Sequence, residues 1–89
     1  MPKVVITHNV GDVDTWLQFK SERADAIGQL GGSDVVDHVA EDGSKAVAVG
    51  FEANDAPGVV AALASPTPEV AAIMESHGVR PPLLVYVEQ

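Results

Sequence analysis

The stretch that decides the fold is residues 45–53, Lys45-Ala46-Val47-Ala48-Val49-Gly50-Phe51-Glu52-Ala53. Its valines and phenylalanine read as a β-strand. A strand in a sheet with one wet face alternates apolar and polar residues. Here the even positions carry Ala46, Ala48 and Gly50 and the odd ones Val47, Val49 and Phe51, so neither face is polar before Glu52. Both faces of this strand are expected to be covered.

Working outward, Glu41-Asp42-Gly43-Ser44 is a hairpin turn, because Asp and Gly tolerate positive φ. It joins the strand to a second arm over residues 33–40, which Asp34 and Asp37 interrupt. At the N-terminus residues 3–9 (KVVITHN) form a strand rich in β-branched residues, and residues 83–88 (LLVYVE) form the last one. Asp12 suits the N-cap of a helix starting near Val13. Val13, Trp16, Phe19, Ala24, Ile27 and Leu30 share one apolar arc of that helix at 100° per residue, which is expected to end near Gly28, or at the latest at Gly31-Gly32. Asn54 or Asp55 caps a short helix over residues 56–64, which Ser65-Pro66 breaks. Thr67 caps a further helix with Pro68 in its first position, reaching His77 and ending at Gly78, and Pro81-Pro82 bars any continuation.

The order β-α-β-β-α-β, with a split second helical region, predicts a single α+β domain over residues 1–89. It is ferredoxin-like, a four-stranded antiparallel sheet in the spatial order 4-1-3-2 with helices on one face. The last strand sets Leu83, Val85 and Val87 against Leu84 and Tyr86, and the first sets Val4 and Ile6 against Val5 and Thr7. Helices cover one face only. Apolar surface left in water forfeits roughly 25 cal/mol per Å². The face left open is therefore expected to pair with a second copy, closed two-fold dimers being the commonest oligomers.

Composition narrows the functional classes. The 89 residues hold 13 Asp and Glu against five Lys and Arg, a formal charge of −8, which disfavours nucleic acid and anionic membrane surfaces. The absence of cysteine excludes disulfides, thiolate metal sites and cysteine nucleophiles. No leader pattern or membrane-length apolar run is present, so a cytoplasmic protein is expected. No phosphate loop, nucleophile elbow or metal-binding spacing occurs, and neither a metal nor a cofactor is expected.

Two groups of residues carry candidate chemistry. Arg23 falls near the middle of the apolar arc, where a guanidinium needs a partner. It grips a ligand carboxylate or enolate, reaches solvent past Trp16, or pairs with Glu22, Asp25 or a carboxylate across the dimer. The three histidines, with Arg80, are expected at one end of the sheet. His8 and His38 are separated by a strand, roughly 10 Å apart, too far to share a metal. His8 and His77 are the closer pair, and His77 also suits the end of a helix dipole. Trp16, Phe19, Phe51, Met74 and Tyr86 line a pocket for a flat ligand or fill the core.

Asp12, Trp16, Arg23, Gly28, Phe51, Glu52, Ser65, Pro66, Met74, Gly78, Val79 and Pro82 together give the chain a resemblance to the small dimeric α/β-barrel proteins, relatives of the antibiotic-biosynthesis-monooxygenase and polyketide-cyclase-like groups. The likeness spans nearly the whole chain and departs at the second strand, where the family often carries an aromatic and an Arg and this chain has Asp37-His38. It implies a homodimer whose two sheets form a barrel with helices outside, and a small-molecule pocket in each protomer. It further implies a cofactor-free monooxygenase, isomerase or cyclase acting on an aromatic or polyketide-like carbonyl compound. His8 would then be the proton acceptor and Arg23 the stabiliser of negative charge on the substrate oxygen. His38 and His77, with Trp16 and the other aromatic residues, would contact the ligand. The second reading is a non-catalytic ligand-binding or stress-associated dimeric module.

Overall fold

The computed structural model describes residues 2–89. Along the chain run β1 (Lys3–Val10), α1 (Val13–Gln18), α2 (Lys20–Gln29), β2 (Gly32–Val39), β3 (Ala46–Ala53), α3 (Ala56–Ala64), α4 (Pro68–Ser76) and β4 (Val79–Val87). The strands form one sheet in the order β2-β3-β1-β4, with every neighbouring pair antiparallel. This is the expected ferredoxin-like α+β fold.

The caps follow from the side chains. Asp12 accepts the Asp14 amide at 3.2 Å, Asp55 accepts Gly58 N–H at 3.2 Å, and Thr67 accepts Val70 N–H at 3.3 Å, each satisfying an otherwise free amide of a first turn. In the hairpin turn Asp42 accepts the Ser44 amide at 2.9 Å and Gly43 takes a φ of 78°, which a side chain would strain.

Two elements depart from the sequence expectation. The first helix is two helices: the chain turns at Phe19, with φ −96° and ψ 20°, and the Phe19 amide closes on the Trp16 carbonyl at 3.2 Å. No Gly or Pro marks the break. The cause is tertiary, since the Trp16 carbonyl also receives Nη2 of Arg23 at 3.1 Å and the Phe19 ring lies on His77. The last strand begins at Val79 and not at Leu83, so that Pro81 and Pro82 lie within it. Proline ends a helix but is tolerated on an edge strand, where a missing donor faces no partner, and β4 is an edge. The second strand forms where it is expected, and β2 runs through both aspartates. Asp34 takes a φ of 53° where the register to β3 shifts, and Asp37 sits in regular pairing with Val49.

The core lies between the sheet and the helices. Val4, Ile6, Val47, Val49 and Phe51 from the strands meet Trp16, Ile27, Ala56 and Val59 from the helices. Among the described residues nothing covers the opposite face. Its register aligns Val36, Gly50, Val5 and Tyr86 across all four strands, and His38, Ala48, Thr7 and Leu84 in the next row. Val36, Leu84 and Tyr86 are 53%, 52% and 55% exposed.

Candidate functional site

Arg23 is buried on the inner side of α2, as its place on the apolar arc predicts, and its partner is Asp37 of β2. Nε donates to Oδ1 at 3.0 Å and Nη2 to Oδ2 at 2.8 Å, the two-pronged geometry that a guanidinium and a carboxylate favour. The Asp37 side chain is only 1% exposed. The guanidinium carbon stands 3.9 Å from the centre of the Trp16 ring, a cation–π contact. Within the chain Arg23 is therefore paired with Asp37, and not with Glu22 or Asp25, and does not reach solvent. A buried charge without this partner would cost several kcal/mol.

His77 follows α4 and is 2% exposed. The Phe19 ring stacks on it at 4.5 Å between centroids and 17° between planes. Its Nδ1 faces Nη1 of Arg23 at 3.5 Å; because arginine only donates, Nδ1 is the acceptor and the ring proton belongs on Nε2. That Nε2 lies 3.4 Å from Glu22 Oε1 yet is misaligned for a hydrogen bond. Burial pushes the His77 pKa below the ordinary imidazole value; Glu22 pulls it upward and the Arg23 charge lowers it further.

His8 projects from β1 toward the helices beside the register shift between Thr7 and Asn9. Its Nδ1 lies 3.1 Å from the Asn9 carbonyl oxygen, which can only accept, so Nε2 carries the free lone pair. The ring meets Trp16 edge-on, 6.1 Å between centroids. Burial lowers its pKa, the Asn9 carbonyl opposes this, and the Arg23 charge lowers it again.

These groups border one cavity of about 80 Å³ between sheet and helices. Ile6, Val49 and Ile27 form its floor and one side, Leu63, Ile73 and Met74 the opposite wall, and His8, Arg23 and His77 its polar elements. An engineered apolar cavity that holds benzene measures about 150 Å³. An aromatic ring therefore enters only if a wall yields. The α4 wall is the one placed to do so, since none of its residues is buried.

The other expected ligand contacts divide. Met74 borders the cavity, whereas Phe19 stacks on His77 and does not line it. Trp16 and Phe51 are fully buried core, outside the cavity lining, although the Trp16 Nε1 donor has no partner. Tyr86 and His38 lie on the open face, away from this cavity; His38 borders a separate shallow trough with Thr7, Ala48 and Leu84. The three histidines thus do not form one group: His8 and His77 share the cavity and His38 is on the other side of the sheet. Sequence reasoning missed Asp37 as a site residue. Its signal was parity, since Asp37 shares a strand face with Val35 and Val39, and a carboxylate on an inward face calls for a buried cation such as Arg23. Among the described residues no group of three His, Cys, Asp or Glu is arranged to hold a metal ion, and no single helix is long and apolar enough to cross a membrane.

No family model and no curated protein matches the sequence. Solved structures do match the fold over nearly the whole length. A structure of an antibiotic biosynthesis monooxygenase superposes with a TM-score of 0.65 at 17% identity, covering 100% of this chain and 97% of that one. A candidate antibiotic biosynthesis monooxygenase from Bordetella bronchiseptica gives 0.67 at 12% identity, covering 99% and 94%. Another from Deinococcus radiodurans gives 0.61 at 12% identity, covering 100% and 91%. At this level of identity the likeness is one of architecture: the chain has the ferredoxin-like α+β fold of the antibiotic-biosynthesis-monooxygenase type of structure.

Proposed function

We propose that the protein binds a small carbonyl compound in the cavity between sheet and helices and works as a homodimer closed across the open face of the sheet. The single observation that carries the reading is an apolar cavity bordered by an imidazole whose Nε2 is free to accept a proton. The chemistry that such a site supports is removal of a proton from the carbon next to a carbonyl. The C–H electron pair moves toward the carbonyl oxygen to give an enolate, and the proton passes to His8. That step is shared by isomerases, cyclases and cofactor-free oxygenases, the classes implied by the resemblance of the sequence. Arg23, already paired with Asp37, acts as a positioning residue: it supports Trp16 from one side and His77 from the other.

Deuterium exchange at the α-carbons of butanone in heavy water tests the proton step with no added cofactor. The wild type is expected to accelerate exchange, and His8→Ala to return it to background while keeping its fold. Unchanged exchange in a variant that loses only thermal stability would overturn the role of His8. The second reading, a non-catalytic binding module, rests on the commitment of Arg23 to Asp37; it predicts ligand binding with no exchange above background. For assembly, light scattering is expected to give about twice the chain mass of 9.2 kDa.

A further inference from the structure

We infer that the cavity selects uncharged ligands and that Asp37, which touches the cavity only through Arg23, is the residue that sets this selectivity. The inference rests on the cavity being the ligand site. Among the cavity-lining residues the polar groups are Arg23, His8 and His77. The guanidinium is the cation an anionic ligand would seek, and its Nε and Nη2 are already on the two oxygens of Asp37 at 3.0 and 2.8 Å, with Nη2 also on the Trp16 carbonyl. Nη1 points to His77. No pair of adjacent N–H groups is left to grip a carboxylate. Both histidines have pKa values lowered by burial, so at neutral pH neither supplies a compensating charge.

An anion entering this space would give up hydration in a largely apolar cavity that offers no free pair of donors, in a chain of net charge −8. A ketone loses only the hydration of one oxygen. The same reasoning identifies the switch: with Asp37 made neutral, the buried guanidinium has no carboxylate in contact among the described residues and becomes an anion site.

Butanone and propanoate, each with five non-hydrogen atoms, are a matched pair of probes for a cavity of this size. Titration at pH 7.5, read by the methyl resonances of Ile6, Ile27 and Ile73, is expected to show butanone binding at least tenfold tighter than propanoate to the wild type. Asp37→Asn is expected to reverse the order. The double variant Arg23→Gln/Asp37→Asn, which has neither charge, is expected to keep the wild-type order and serves if the single variant does not fold. Equal or tighter propanoate binding by the wild type would overturn the inference. So would an unchanged ratio in a folded Asp37→Asn protein, or a preference for propanoate in the double variant. If neither probe moves the methyl resonances of the wild type, the cavity is not the ligand site, and the proposed function fails before the question of charge arises.

Discussion

On the helix side of the sheet Val4, Ile6, Val47, Val49 and Phe51 are buried, and even the charges of Arg23 and Asp37 are enclosed. On the other side Val5, Val36, Leu84 and Tyr86 come from three of the four strands in two adjacent rows, and the last three are about half exposed. Residue types alone do not separate the two faces, since valine and leucine occupy both. The difference lies in what covers them. Four helices give one side a complete partner; the other presents flat, alternating apolar rows such as a second sheet would complement.

Several substitutions would break or sharpen this contrast. The largest effect is expected inside: Asp37→Ala leaves the Arg23 guanidinium buried and unpaired, at a cost of about 3–5 kcal/mol in chemical denaturation. Arg23→Met combined with Asp37→Leu should recover most of that loss, because well-packed apolar residues replace a buried ion pair at little cost. On the helix side, Val49→Ala is expected to lose about 2 kcal/mol through the cavity it creates. On the open face, Leu84→Lys with Tyr86→Lys should leave the protomer folded and lower the mass in light scattering from about twice 9.2 kDa to the single-chain value. A double variant that remains a dimer would place the interface elsewhere.

A pH dependence is expected from the same side of the sheet. His8 and His77 both have folded pKa values below the ordinary 6.5, so the unfolded chain binds protons more readily as pH falls through 6.5. Stability should be flat above that value and decline below it. His77→Gln, which keeps an acceptor for Arg23, should make the decline shallower. The smallest effect is expected for Val36→Thr on the open face, within about 0.5 kcal/mol at concentrations where the chain is monomeric.

Much of the fold was legible because its signals are local. Residues 56–64 are bounded by a capping aspartate and a Ser-Pro break, and α3 occupies those residues. Thr67 with Pro68 marked the start of α4, and Asp42-Gly43 the hairpin. The break at Phe19 was not legible, because no Gly or Pro lies near it to disfavour a continuous helix. It arises from contacts with Trp16, Arg23 and His77, the last of which is 58 residues away. The entry of Pro81 and Pro82 into a strand likewise depends on that strand being an edge, which is a property of the assembled sheet.

The site divides in the same way. Periodicity alone placed Arg23 among apolar neighbours and so demanded a partner for it. Which carboxylate answers, Glu22 and Asp25 nearby on the same helix or Asp37 on β2, was decided only when the sheet brought β2 beneath α2. The sequence by itself determined the alternation, the caps and the apolar excess, because these depend on neighbours within a turn or a strand. The tertiary structure decided which charges cancel, which histidines share a cavity and which face is left uncovered, because those outcomes depend on groups that only folding brings within a few ångströms of one another.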